Sequence, residues 1–276
     1  MIVQGVHVPA LLYGTAWKED ATTEVTSAAL HAGFRGVDTA NQRKHYHEAA
    51  VGLALRPWFQ THARDSLFLQ TKFTYLRGQD ERLPYDPNAN FSTQVAQSHA
   101  SSLEHLSVEY LDAYLLHGPE REVGLSPGDW EVWRAMEALH DAGKVRLLGV
   151  SNVSAEQLSA LCAGARIAPA IVQNRCYAVR AFDLAVREIC SARGMVYEGF
   201  SLLTANRAFW GHESVKDIAR RSGQTPAQVI FNFALHLGIV PLTGTTDPRH
   251  MREDLACQDL RLAPDDVRRL KALLGR

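Results

Sequence analysis

The chain has few cysteines, no excess of charge and no long apolar run, and each of these absences excludes a class of protein. Its four cysteines are widely spaced and form no C-x-x-C pair, so neither a zinc site nor a disulfide framework is predicted. The formal net charge is −1, so no surface field is expected to attract nucleic acid or a membrane. Residues 1–10 lack the features of a secretion signal, and no stretch is apolar enough to cross a bilayer. We expect a cytoplasmic protein that acts on small molecules.

Several motifs that carry well-defined chemistry are also incomplete. The segment from His47 to Val51 lacks the second histidine of a zinc-protease helix, so no metal site is predicted. The segment from Gly149 to Val153 lacks the final glycine of a nucleophile elbow. No G-x-G-x-x-G occurs, which removes support for a Rossmann-type dinucleotide site.

Short β-rich runs alternate with longer amphipathic stretches along the chain, a pattern typical of parallel βαβ units. The predicted strands are Leu11–Thr15, Gly36–Thr39, Leu67–Lys72, Leu111–His117, Val145–Val150, Ala170–Gln173, Met195–Gly199 and Ile239–Leu242. The predicted helices are Thr22–Ala32, Glu48–Phe59, Thr93–Leu106, Pro127–Ala142, Ala155–Cys162, Phe182–Arg193, Pro226–Leu237 and Arg249–Ala256. Eight such pairs predict one α/β domain over residues 1–276, a closed (β/α)8 barrel of the TIM type.

Three further elements complete the predicted barrel. Val3–Val8 is expected to form an N-terminal hairpin that closes the floor, and Glu213–Ser222 and Pro264–Leu274 are extra helices near the C-terminus. Ser154 is a good N-cap with a capping-box glutamine, and Thr225 precedes a proline suited to the first helical position. These signals support the predicted helix starts.

Three ionisable residues lie at the ends of predicted strands, where the active site of such a barrel forms. Lys72 alone reads equally well as a surface lysine, but Asp38 and His117 also end strands and should meet it at the same opening. Asp38 can hold Lys72 charged, and that charge favours the phenolate of a neighbouring tyrosine, which makes the phenol a usable acid. His117 is expected to hydrogen-bond a substrate oxygen.

At this point the sequence resembles the aldo-keto reductases. The resemblance covers nearly the whole chain and rests on motifs in the family's order: Asp38-Thr39-Ala40, a tyrosine before Glu48 and Val51-Gly52, Lys72 after Leu69-Gln70-Thr71, His117 after Leu111 to Leu116, Gly149-Val150-Ser151-Asn152, Gln173-Asn174, Phe200 to Leu203, and Gly244 through Arg252-Glu253-Asp254-Leu255. It implies hydride transfer from NADPH to an aldehyde or ketone to give the alcohol, with an imine as a further option for the substrate.

The resemblance also assigns the cofactor site, with NADPH extended across the barrel mouth. Ser151, Asn152 and Gln173 would hold the carboxamide, and Phe200 would stack on the nicotinamide where the family usually has tyrosine. The remaining implied contacts are Ser201 and Leu203 at the pyrophosphate, Glu253 and Asp254 at the adenine, and Thr15, Asp38, Gly244, Thr245, Thr246 and His250 elsewhere along the cofactor. Trp17 is expected to form a wall of the substrate pocket.

The catalytic tyrosine is the point where the sequence departs from the family pattern. The loop after Asp38 looks two residues longer than usual, and counting back from Glu48 without gaps puts His45 in the tyrosine column. We predict Tyr46 as the general acid, because the charge of Lys72 can tune a phenol but would depress the already low pKa of His45. His45 remains the alternative.

Two other departures affect cofactor preference and pocket shape. The hydroxyls of Thr245 and Thr246 can donate to a 2′-phosphate. Charge could be added there by Arg249, His250 or Arg252, whereas Asp247 would oppose an anion, so NADPH is expected and NADH stays an alternative. Few residues follow the final predicted helix, so the family's long C-terminal tail is not expected and the pocket should be more open.

Two rival functions follow from the same residues. One is a regulatory barrel that binds NADPH with little turnover, and the other is an enzyme that uses Lys72 as a Schiff-base lysine. The partner is expected to be a small carbonyl compound, with no nucleic acid or membrane, and the chain is expected to be a monomer or weak oligomer.

Overall fold

The centre of the computed structural model, which describes residues 1–275, is a closed barrel of eight parallel strands. An antiparallel hairpin, β1 (Ile2–Val3) and β2 (Val6–His7), precedes it. The barrel strands are β3 (Leu12–Gly14), β4 (Gly36–Asp38), β5 (Phe68–Phe73), β6 (Leu111–Leu116), β7 (Val145–Ser151), β8 (Ile171–Arg175), β9 (Val196–Phe200) and β10 (Ile239–Thr243). Pairing of β10 with β3 closes the barrel, which confirms the predicted (β/α)8 fold and its N-terminal hairpin.

Helices surround the barrel and alternate with its strands. They are α1 (Thr22–Ala32), α2 (Glu48–Phe59), α3 (Phe91–Leu106), α4 (Pro127–Asp141), α5 (Ala155–Gly164), α6 (Leu184–Arg193), α7 (Arg207–Trp210), α8 (Glu213–Ser222), α9 (Pro226–His236), α10 (Pro248–Ala256) and α11 (Pro264–Lys271). Ser154 and Thr225 form the expected capping boxes. None of the helices in residues 1–275 has the length and apolar character of a membrane span.

The helix bounds differ from prediction where the backbone turns. The prediction that α6 begins at Phe182 is wrong, because Ala181, Phe182 and Asp183 all have positive φ and form a turn instead. The short helix α7 was not predicted, since four residues carry no readable period.

Two apolar clusters stabilise the barrel. The inner cluster lies inside the barrel and includes Leu12, Phe68 and Ile171. Val6 and Val8, from the hairpin region, belong to the same cluster and close the floor of the barrel. Each such side chain removed from water contributes about 1.5–3 kcal/mol. The outer cluster lies between the strands and the helices. The floor is therefore sealed by apolar side chains, and the polar groups of the barrel collect at the opposite end.

Close packing of α2 on α3 depends on a glycine. A Cβ on Gly52 would lie 1.8 Å from the backbone oxygen of His105, a distance that no side chain tolerates. A glycine at this position therefore allows the backbones of α2 and α3 to approach closely.

Candidate active site

Asp38 and Lys72 form a buried ion pair at the carboxyl ends of β4 and β5. Lys72 is completely buried, and its Nζ lies 2.6 Å from Asp38 Oδ1 and donates to the backbone oxygen of Thr39 at 2.8 Å. Burial is the largest single influence and lowers the pKa of Lys72, but the charge and hydrogen bond of Asp38, together with Tyr46 and Glu198, raise it more, so the net direction is upward. The surface-lysine interpretation is wrong, and the ammonium stays charged inside the barrel.

The Tyr46 ring lies beside both Lys72 and His117. Lys72 Nζ is 5.5 Å from the centroid of the Tyr46 ring, and the rings of Tyr46 and His117 are 5.9 Å apart at an interplanar angle of 71°. Burial raises the pKa of Tyr46, Lys72 lowers it and Asp38 raises it, with a net increase. Lys72 therefore lowers the pKa of Tyr46, as predicted, but by less than burial raises it. The phenol stays protonated at neutral pH.

His45, the alternative in the same loop, packs differently. Its ring packs against that of Trp17 at a tilt of 35°, with centroids 3.9 Å apart, and its backbone oxygen accepts from the Trp17 N–H at 2.7 Å. Trp17 is 68% exposed and has a φ of 61°. The backbone N–H groups of His45 and Tyr46 both donate to the oxygen of Gln42, at 3.3 and 3.0 Å, so a turn sends the two side chains in different directions.

His117 follows β6 and is neutral at physiological pH. Burial, with smaller contributions from Lys72 and His45, lowers its pKa to about 3. Its Nδ1 is 2.7 Å from Thr74 Oγ1, and its backbone oxygen accepts from Asn152 Nδ2 at 2.8 Å. Thr74 thus holds the uncharged imidazole at Nδ1, and Asn152 holds the backbone that carries it.

A layer of amides and carboxylates crosses the barrel beneath these residues. Asp38 Oδ1 accepts from Gln70 Nε2 at 2.7 Å and from Gln173 Nε2 at 2.9 Å. The same two nitrogens donate to Glu198 Oε2, at 2.7 and 2.8 Å. Burial and the charge of Asp38 raise the pKa of Glu198 to about 7. Sequence reasoning missed Gln70 and Glu198, although a glutamate inside an apolar strand was a readable signal.

The predicted carboxamide-binding residues lie together at the ends of β7 and β8. Ser151 is buried, and its Oγ accepts from Asn152 Nδ2 at 3.0 Å. Asn152 is exposed, with a φ of 52°, in a left-handed conformation that asparagine adopts more readily than most residues. Both amide hydrogen bonds of Gln173 within residues 1–275 use its nitrogen, so its oxygen is left as an acceptor.

Lys18 reaches across the mouth to Gly244, and sequence reasoning missed this lysine. Lys18 Nζ donates to the backbone oxygen of Gly244, and burial lowers the pKa of Lys18. A Cβ on Gly244 would meet Lys18 Nζ at 3.2 Å and the Gly14 oxygen at 3.3 Å. The Lys18 ammonium therefore lies against the backbone that follows β10 and places a positive charge at this edge of the barrel mouth.

Other predicted cofactor contacts are partly used within the protein. Thr15 is fully buried, and its hydroxyl donates to the Asp38 backbone oxygen at 3.0 Å. Phe200 is half-buried, with the Arg175 guanidinium 5.5 Å from its ring centroid. Ser201 has a φ of 59° and begins the turn that also carries the half-buried Leu203.

The predicted adenosine end lies around α10, and the structure separates its residues. Glu253 is half-buried, with Oε1 3.7 Å from Arg249 Nε, whereas Asp254 is buried and accepts from the Thr243 hydroxyl at 2.7 Å. The side chains of Thr246 and His250 are exposed there, and Thr245 is half-buried. Asp254 is thus turned towards the barrel strand rather than towards solvent.

Comparison with known proteins matches this geometry to one family. The model of the Aldo/keto reductase family matches residues 11–274. An aldo-keto reductase of Mycobacterium sp. is 30% identical over 270 residues, covering 98% of this chain and 88% of the relative. Glyoxal reductase of Bacillus subtilis is 28% identical over 271 residues, covering 98% and 90%. NADPH-dependent codeinone reductase 1-4 of Papaver somniferum is 29% identical over 297 residues, covering 98% and 87%.

Solved structures agree with the sequence comparisons. An aldo/keto reductase from Brucella melitensis superposes with a TM-score of 0.82 at 25% identity, over 98% of this chain and 96% of that one. An aldo-keto reductase from a deep-sea metagenome library of the Medee basin has the same fold, with a TM-score of 0.84 at 22% identity over 98% and 93%. The chain therefore belongs to the aldo/keto reductase family, whose members are oxidoreductases that reduce carbonyl compounds.

Proposed function

We propose that this chain is an NADPH-dependent reductase of small aldehydes or ketones in which Tyr46 is the general acid. The observation that carries the proposal is the convergence of Tyr46, His117 and the charged Lys72 at the strand ends, with 5.5 Å between Lys72 Nζ and the Tyr46 ring centroid. A carbonyl oxygen that gains negative charge needs a proton donor and a second hydrogen-bond donor beside it. Tyr46 and His117 supply these two groups.

The proton step follows from the charges around Tyr46. The phenol is protonated at neutral pH because burial raises its pKa, so it holds the proton that the product alcohol needs. When it gives that proton to the substrate oxygen, the charge of Lys72 stabilises the phenolate that remains, and Asp38 keeps Lys72 charged. His117 is neutral, and when the Thr74 hydroxyl donates to its Nδ1, the ring carries a proton on Nε2 for the substrate.

The residues at the mouth fit a nicotinamide dinucleotide. The Lys18 ammonium beside Gly244 suits a pyrophosphate, and the unused Gln173 oxygen suits an amide donor. When bound, NADPH supplies the hydride. In this proposal Ser151, Asn152 and Gln173 hold the carboxamide, Phe200 covers the ring, and Thr15, Asp38, Ser201, Leu203 and Gly244 line the path towards Glu253 and Asp254.

The preference for NADPH over NADH depends on the residues at α10. The Thr245 and Thr246 hydroxyls, together with the exposed His250, can donate to a 2′-phosphate. Asp247 caps α10 through the Arg249 N–H at 2.7 Å, so its carboxylate is partly used within the protein. The NADPH dependence named for the codeinone reductase relative supports the same choice.

The test is a comparison of Tyr46→Phe with His45→Ala, using oxidation of NADPH by a panel of small aldehydes and ketones. Loss of the proton donor should lower kcat by about 10²–10⁴-fold in the first variant. His45→Ala should stay within a few-fold of the parent, because its ring packs on Trp17. Retained turnover in the first variant with loss in the second would reverse the assignment.

The two rival functions have their own readouts. Tight NADPH binding without turnover of any carbonyl compound would favour a regulatory barrel. A Schiff-base role needs a neutral amine, and the raised pKa of Lys72 argues against it. Borohydride trapping with a carbonyl substrate would reveal an adduct on Lys72 if that rival were correct. We also propose that residues 1–276 form one domain that acts as a monomer or weak oligomer.

A further inference from the structure

The barrel interior contains a second carboxylate that the proposed proton step does not use. Glu198, on β9, is completely buried, and its Oε2 accepts hydrogen bonds from Gln70 at 2.7 Å and from Gln173 at 2.8 Å. Gln70 lies on β5, which is opposite β9 in the closed barrel, and Gln173 lies on β8, the strand that pairs with β9. A fully buried glutamate is rare unless it is paired with a charge or hydrogen-bonded.

The two amides are held in one orientation by this arrangement. Each amide nitrogen has two hydrogens, and in both Gln70 and Gln173 one is directed to Asp38 Oδ1 and the other to Glu198 Oε2. Reversing either amide would direct its oxygen at two carboxylate oxygens. The Gln173 nitrogen is therefore fully used, and the Gln173 oxygen is the atom that remains for a ligand.

We propose that Glu198 is a positioning residue that holds the Gln173 amide nitrogen, so that the Gln173 oxygen accepts from the carboxamide N–H of the nicotinamide. Asp38 alone would leave one hydrogen of each nitrogen unpaired, and the Gln173 amide would be free to rotate. The inference rests on the proposed function, because it assumes that Gln173 faces the cofactor.

Glu198 Oε2 can accept both hydrogen bonds even when Glu198 is protonated. The other oxygen, Oε1, is buried and has no hydrogen-bond partner within residues 1–275, so a proton can reside there while Oε2 still accepts from both glutamines. The positioning role is thus independent of whether the carboxyl is charged, and a glutamine at position 198 should preserve it.

The test removes the acceptor from the protein and the matching donor from the cofactor. Dissociation constants are measured by fluorescence for NADP⁺ and for its 3-acetylpyridine analogue, in which an acetyl group replaces the carboxamide and has no N–H. Glu198→Met should weaken NADP⁺ binding by about tenfold, the worth of one hydrogen bond, and the analogue by less than about twofold. Glu198→Gln should bind NADP⁺ within about threefold of the parent.

The outcomes separate this inference from the proposed function. Equal losses for both dinucleotides, or no loss for either, would overturn the positioning role while leaving the cofactor proposal intact. A parent protein that binds neither dinucleotide would overturn both. Circular dichroism checks the fold, and if Glu198→Met does not fold, Glu198→Ala removes the same acceptor with a smaller side chain and takes the same measurements.

Discussion

Burial of Glu198 should make the protein lose stability as pH rises through neutrality. Burial and Asp38 raise the pKa of Glu198 from 4.5 to about 7 in the folded state. Between these values the folded protein binds more protons than the unfolded chain, so the free energy of unfolding falls with increasing pH. The contribution of Glu198 is fully present below pH 4.5 and is lost as pH passes 7.

The magnitude follows from the two pKa values. At 1.36 kcal/mol per pKa unit the full difference is about 3 kcal/mol, and about 2.5 kcal/mol of it falls between pH 5 and pH 8. Glu198→Gln removes the titrating group and keeps an accepting oxygen. The parent should therefore lose about 2.5 kcal/mol relative to this variant over that range. For a chain of this length the loss corresponds to roughly 5 °C in the thermal midpoint.

The assay is thermal unfolding of both proteins at several pH values. The stability of each protein is compared with its own stability at other pH values. This cancels any pH-independent cost of replacing the carboxyl by an amide. Glu188→Gln, at an exposed position on α6, is the matched control and should follow the parent at every pH. If the thermal midpoints of the parent and Glu198→Gln change in parallel with pH, the conclusion that Glu198 is partly protonated at neutral pH is refuted.

Three further predictions concern the other ionisable groups. Lys72→Met should lower stability by about 3–5 kcal/mol, since Asp38 would remain buried without its partner, and denaturant unfolding measures the loss. The hydrogen bond with Glu48 raises the pKa of His105. The contribution of this pair to the free energy of unfolding should therefore be present below pH 6.5 and vanish as pH rises above the raised pKa. Because His105 is partly exposed, His105→Gln should cost less than about 1 kcal/mol at pH 6 and nothing at pH 9. Nitrogen-15 NMR should find the His117 ring uncharged from pH 8 down to pH 5, and a titration near pH 6.5 would contradict the burial argument.

Local sequence signals predicted the barrel because they act over a few residues. Period and N-caps placed the strands and helices within a few residues, as the capping boxes at Ser154 and Thr225 illustrate. The signal failed at Phe182, where an arginine from the following helix holds a turn. Arg187 donates to the backbone oxygens of Ala181 and Phe182, at 3.0 and 2.7 Å.

The sequence alone does not determine whether Tyr46 or His45 faces Lys72. An enlarged loop can be aligned in two ways, and only the turn at Gln42 determines which ring faces Lys72. Lys18 was missed for a similar reason, because its contact with Gly244 spans 226 residues of sequence. No local pattern can report a contact of that kind.

The sequence by itself determined that Asp38, Lys72 and His117 end parallel strands and so meet at one mouth, since strand direction alone brings those ends together. Only closure of the barrel decided what lies beneath them. It brings Glu198 to Gln70 across 128 residues of chain and Gln173 to Asp38 across 135. Hydrogen bonds of that range arise from the geometry of opposite strands, and burial then sets the charges on which the chemistry depends.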